Sequence, residues 1–243
     1  MRFLGINPSF LDYRVPLYNE LNKLLNGNFF IIYSKKRIPE RVDKKVKYEL
    51  KNNAKGLLNE KNINIGNIGD FANQGVSIPY QRKLLQTIFS IRAEIIISEG
   101  FFQSTPFAVF YSVLKRKPLW IVYERTTHTE RFCPKWRELY RKFVNLFVTG
   151  YLVNGVLTEN YLNQLGITNK TIIKGCMSAD SSGLAKKVKM VSEFEKSSFE
   201  KHLKLKVGLT FLFVGQIIER KGVKEMIEAW LIHLQKHPKD NLI

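Results

Sequence analysis

Short apolar runs alternate along the chain with stretches whose apolar residues recur every three or four positions. That alternation predicts strands separated by helices of about ten residues, the pattern of βαβ units in a parallel sheet. Residues 2–6 predict a first strand. Residues 15–25 predict a helix whose Leu17, Leu21, Leu24 and Leu25 form one stripe. A second strand is expected at 28–33, and weaker strands at 44–49 and 63–65. A glycine-rich loop is expected at 66–75. Further units follow: helix 82–91, strand 94–98, helix 106–114 with Pro106 in its first turn, and strand 118–123. Helix 136–147, strand 151–154, helix 158–165 ending at Gly166, and strand 171–174 complete the series.

The pattern then changes. Residues 178–206 predict a charged helix pair with little apolar content, opened by the capping cluster Asp180-Ser181-Ser182. A new unit begins with strand 209–214, turn 215–221 and helix 222–234. One strand and one helix cannot bury each other's apolar faces, so this segment is expected to be only the opening of a second domain. The expected organisation is an α/β domain over 1–177, a helical segment over 178–208, and an incomplete domain over 209–243. The fold class is a Rossmann-like parallel sheet with helices on both faces.

Composition narrows the picture. With 44% hydrophobic residues in 243, the chain can build a core, which excludes intrinsic disorder. Two cysteines, Cys133 and Cys176, cannot form a disulfide scaffold or a Cys-rich zinc site. No apolar run has the length of a membrane span, and residues 1–8 lack the features of a secretory signal. A cytoplasmic location is therefore expected. The net charge of +18 favours phosphate-bearing partners and suggests peripheral contact with an anionic inner-membrane face. The cations concentrate in 35–61, 115–142 and 186–206. Exposed aromatics are few at strand positions, which argues against nucleic acid as a partner.

Candidate chemistry lies at strand ends, where open α/β sheets bind ligands. Gly215 closes the strand 209–214, and Arg220 and Lys221 stand at the next helix start, suited to holding a diphosphate. His128 follows the strand 118–123 within Glu124-Arg125-Thr126-Thr127-His128. Glu99 and Glu124 also follow strands and could act as a carboxylate pair. Alternatively Glu99 caps a loop, and Glu124 pairs with Arg125 or Arg131. No glycine-rich nucleotide fingerprint, Walker lysine motif or metal-ligand spacing is present, so neither a metal nor a cofactor is expected.

The run from Val214-Gly215 to Lys221-Gly222, followed by Met226-Ile227-Glu228-Ala229-Trp230, resembles the first βα unit of the nucleotide-sugar domain of group 1 (family 4) glycosyltransferases. The segments Tyr13-Arg14-Val15-Pro16-Leu17, Ser98-Glu99-Gly100 and Pro118 to Arg125 extend the resemblance upstream. It implies a GT-B fold whose N-terminal domain binds the acceptor. It further implies transfer of a sugar from a nucleotide diphosphate sugar to a glycan or lipid-linked acceptor, with retention and without metal. Under it, His128 is catalytic, and Gly215, Arg220 and Lys221 hold the donor phosphates. Tyr13, Arg14, Glu99 and Glu124 lie on the acceptor side. Two departures stand out: Gln216 replaces an arginine usual in the family, and the Glu, seven residues, Glu motif is absent. The competing reading is a basic, non-catalytic module that docks on anionic membrane or nucleic acid.

Overall fold

The computed structural model describes residues 1–65, 76–101, 104–175 and 178–243, in two compact units, Met1–Asp180 and Ser181–Ile243. The glycine-rich stretch 66–75 and Cys176 lie outside the described residues.

The first unit opens with β1 (Phe3–Ile6), α1 (Arg14–Leu24), β2 (Phe29–Ser34), α2 (Glu40–Leu50) and β3 (Ala54–Leu57). A hairpin of β4 (Glu60–Ile65) and β5 (Val76–Gln81) follows, with antiparallel pairing. Then come α3 (Leu84–Ile91), β6 (Ile95–Glu99), α4 (Thr105–Lys115), β7 (Leu119–Tyr123), α5 (Lys135–Asn145), β8 (Gly150–Val153), α6 (Val156–Gln164) and β9 (Thr171–Lys174). Seven of these strands form one parallel sheet in the order β3-β2-β1-β6-β7-β8-β9.

Alternation along each strand feeds two cores. Phe29, Ile31 and Tyr33 pack with Val15 and Tyr18 of α1 and with Val42, Val46 and Leu50 of α2. Ile32 points the other way and joins Leu4, Ile6, Ile96, Leu119 and Ile121 beneath α3, α4, α5 and α6. Helices thus cover both faces, as the sequence pattern requires. One strand expectation fails: residues 44–49 lie inside α2. The alternation of Val46, Tyr48 and Leu50 suggested a strand, but Val42, Val46 and Leu50 recur every four residues and are the ones buried.

The second unit holds α7 (Ser181–Met190), α8 (Glu193–His202), β10 (Thr210–Phe211), α9 (Val223–Lys236) and β11 (Asn241–Leu242). The strand expected over 209–214 shrinks to the two residues of β10, paired in parallel with β11. Ser192 and Glu195 close a reciprocal capping box on α8. Among the described residues of this unit, only Asn241 is buried; its side chain bonds the backbone of Lys206 through both amide atoms.

Candidate functional site

The order of strands reverses between β1 and β6. The chain runs outward from β1 to β3, then returns to the other side of β1. At such a switch point the loops leaving adjacent strands diverge, and a crevice opens at the strands' carboxyl ends. A cleft of about 270 Å³ lies there, lined by Gly5, Ile6 and Asn7 of the first strand and its exit, and by Ile97 and Glu99 of β6. Arg14 and Tyr18 of α1 form one wall, and Val122, Leu152 and Asn154 continue the floor across β7 and β8.

The cleft's polar groups are mutually fixed. The Arg14 guanidinium lies 3.6 Å from the Glu99 carboxylate, with the side chains 14% and 30% exposed. Burial pushes the Glu99 carboxyl above its ordinary range, Arg14 opposes that, and Glu124 adds to it. For Arg14, burial works against its charge, but Glu99 and neighbouring tyrosines more than offset it, so the guanidinium stays cationic. Asn7 donates from Nδ2 to the Tyr18 hydroxyl at 2.9 Å, while its Oδ1 accepts from the Ser9 amide. A half-buried cation beside a carboxylate, with an amide and a phenol in the same wall, suits the vicinal hydroxyls of a sugar. Each hydroxyl can donate to one group and accept from the other.

Tyr13 is exposed and outside the cleft's lining, with the Arg14 guanidinium 5.7 Å from its ring centroid. Glu124 is exposed on the strand exit. The expected pairing of Glu124 with Arg125 or Arg131 is replaced: Arg125 lies 3.7 Å from Glu130, and Arg131 turns to His128.

His128 sits on the exposed loop after β7, outside the cleft's lining. The loop is tightly built. The Thr126 amide donates to Thr129 Oγ1 at 2.8 Å, and Thr127 Oγ1 donates to Gln164 at 2.8 Å. Arg131 Nη1 donates to the His128 carbonyl at 2.8 Å and lies 3.1 Å from its Nε2. A guanidinium has no lone pair to offer, so in this contact Nε2 is the acceptor.

Arg141 of α5 anchors that loop from beneath. Its side chain is 0% exposed and donates to Glu130 Oε2 at 2.6 Å and to the Tyr161 hydroxyl at 2.5 Å. The rings of Phe101, Tyr123 and Tyr161 surround it at about 6 Å, a packing arrangement that stabilises a planar cation. Sequence reasoning passed over Arg141 as surface charge. The signal was its place with Arg137, Tyr140 and Val144 on the inward stripe of α5. Asn7, Tyr18 and Asn154 were missed too, since only the folded sheet brings them together.

Gly215, Arg220 and Lys221 belong to the second unit. A short 3₁₀ turn spans Glu219–Lys221, and Gly222 then adopts φ +63, a left-handed conformation that glycine tolerates best, before α9 starts. Lys221 is exposed at that start. Among the described residues, no cluster of His, Cys, Asp or Glu could hold a metal ion.

No protein-family model and no curated protein matches the sequence. Solved structures do match the fold. HepE from Anabaena, in complex with UDP and glucose, aligns over 100% of this chain with a TM-score of 0.67 at 13% identity. UDP-GlcNAc 2-epimerase from Neisseria meningitidis, bound to UDP-GlcNAc, aligns over 100% with a TM-score of 0.59 at 11% identity. The 2-epimerase from Methanocaldococcus jannaschii aligns over 99% with a TM-score of 0.54 at 13% identity. The chain spans only 60% of HepE and 64% of each epimerase. The chain has the Rossmann-like α/β fold of the GT-B type. At such identities the likeness concerns the fold.

Proposed function

We propose that the chain is the acceptor-binding part of a glycosyltransferase that moves a sugar from a nucleotide diphosphate sugar to a glycan or lipid-linked acceptor. The observation that carries this reading is the Arg14–Glu99 pair set in a cleft at the sheet's switch point. The architecture it shares with structures that hold UDP, glucose or UDP-GlcNAc supports it. In this reading Arg14, Glu99 and Tyr13 orient acceptor hydroxyls, with Glu124 at the rim. His128 faces the transferred sugar, and Arg220 and Lys221 neutralise the departing diphosphate beside Gly215, where charge develops as the bond breaks. Residues 209–243 are then the opening of the donor domain. Transfer proceeds with retention, without metal, in the cytoplasm and at the surface of an anionic membrane.

A nucleotide-sugar epimerase is the second reading, favoured by the fold shared with two 2-epimerases. Saturation-transfer NMR with UDP-glucose and UDP-GlcNAc, followed by product analysis, separates the two. We expect binding in the millimolar range, about −4 kcal/mol, weakened several-fold by Lys221→Ala. In a version completed with its second domain, transfer to a saccharide supports the first reading, and release of the 2-epimer supports the second. No saturation transfer from either nucleotide sugar at millimolar concentration overturns both.

A further inference from the structure

Helices on a sheet bury their apolar stripe and turn charge outward. Helix α5 does the reverse. Its inward face carries the buried Arg141 and Val144, with Arg137 and Tyr140 half-buried. Its outward face carries Trp136, Leu139, Phe143 and Leu146, spaced by three, four and three residues and therefore on one line of the helix. Leu139 is 70% exposed and Leu146 69%, and Phe132, just before the helix, is also exposed. Helix α4 lies on the same face of the sheet, with its Phe110 ring 6.4 Å from Phe89 of α3.

Cations border this apolar surface. Arg131, just before α5, and Lys135 and Lys142 on it are exposed. Residues 115–142 hold nine Lys or Arg against three acids, of which Arg141 and Glu130 pair off in the interior. A water-soluble surface rarely keeps a stripe of large apolar side chains exposed without a use. An apolar stripe containing Trp and Phe and edged by Lys and Arg matches the acyl–headgroup boundary of an anionic bilayer. A second copy of the same face would set these cations against each other, which disfavours self-association.

We infer that the outward face of α5 is the surface by which this chain docks on anionic lipid. The helix lies in the plane of the interface, its 11 residues spanning roughly 16 Å. This names the surface for the peripheral-membrane part of the function proposed above and is independent of the sugar chemistry.

The test is flotation of the intact chain with phosphatidylglycerol–phosphatidylcholine vesicles and with pure phosphatidylcholine vesicles, at low salt and at roughly 0.5 M salt. The wild type is expected to float with the anionic vesicles at low salt and to be released by salt. The pair Leu139→Ser with Phe143→Ser keeps every charge and should lower the bound fraction about tenfold. Lys135→Glu with Lys142→Glu should do the same, whereas Lys186→Glu with Lys187→Glu in α7 should leave most binding intact. Thermal melts of the variants, expected to match the wild type because these side chains are exposed, establish that they are folded. A wild type that stays with the soluble fraction overturns membrane docking altogether. A wild type that floats while the Leu139/Phe143 pair floats equally well overturns only the choice of surface. Equal loss from the α7 pair would mean that net charge alone drives binding, and a wild-type dimer converted to monomer by the Leu139/Phe143 pair would give the face to a second copy. Either result overturns the inference.

Discussion

Two apolar runs of similar composition meet opposite fates. Phe29-Phe30-Ile31-Ile32-Tyr33 forms β2 between β1 and β3, and Phe29, Ile31, Ile32 and Tyr33 are buried to within a few per cent. Phe211-Leu212-Phe213-Val214 shares two backbone bonds with Ile243, and Leu212 stays 68% exposed. The residues are equally hydrophobic; the neighbours differ. Strand β2 has a strand on each side and helices on both faces, whereas β10 has one two-residue partner. Apolar sequence supplies a driving force of about 25 cal/mol per Å², but only the area removed from water counts. The first unit therefore holds a real core, and the second keeps its helices and turns largely by local bonds.

The largest effect that sharpens this contrast is expected at Arg141. Replacing it with Ala leaves the largely buried Glu130 with only the more distant, exposed Arg125, a loss of up to about 3–5 kcal/mol, and the melting transition should fall accordingly. Arg141→Met, which keeps the packing among the rings, should cost less only if packing rather than charge dominates. Next comes Ile96→Ala, at a fully buried position, expected to cost about 2–5 kcal/mol. The matching change Leu212→Ala should stay within about 0.5 kcal/mol in the same melting experiment. Comparable losses at the two sites would break the comparison.

A smaller effect concerns pH. The Glu99 carboxyl is raised by burial above its ordinary value of 4.5. The folded state then holds that proton more tightly than the unfolded chain. Its contribution to stability is complete below about pH 4.5 and disappears as pH rises through the folded value. Glu99→Gln removes this dependence, so the variant should gain on the wild type as pH climbs from about 4 to 7. A difference in melting temperature that stays flat across that range would show that Glu99 is not held out of its normal titration.

Much of the fold was legible because burial in a parallel sheet leaves runs such as Ile95-Ile96-Ile97 and Leu119-Trp120-Ile121-Val122, with helices of regular period between them. Strand β3 was not legible. Its Ala-Lys-Gly-Leu is an edge segment with one side against solvent, so little apolar sequence is required. The Lys44–Glu49 stretch misled because two periods coincide on Val46 and Leu50, and the pattern began earlier, at Val42. The site was half legible. Strand ends pointed to Glu99 and Glu124, but the partner of Glu99 lies 85 residues away, and no local pattern joins them. Arg141 was hidden for another reason: a buried cation looks like any surface arginine until its ring of aromatics is assembled by three separate elements.

The central claim is that the cleft between β1 and β6 receives a sugar through Arg14 and Glu99. Titrating a panel of simple mono- and disaccharides into isotope-labelled protein, with amide and side-chain resonances followed by NMR, tests it most directly. The account predicts shifts clustered at Gly5, Asn7, Arg14, Glu99 and Asn154 for at least one saccharide, and their loss in Arg14→Ala while the melting transition persists. Shifts clustered elsewhere, or a cluster that survives Arg14→Ala unchanged, would contradict it.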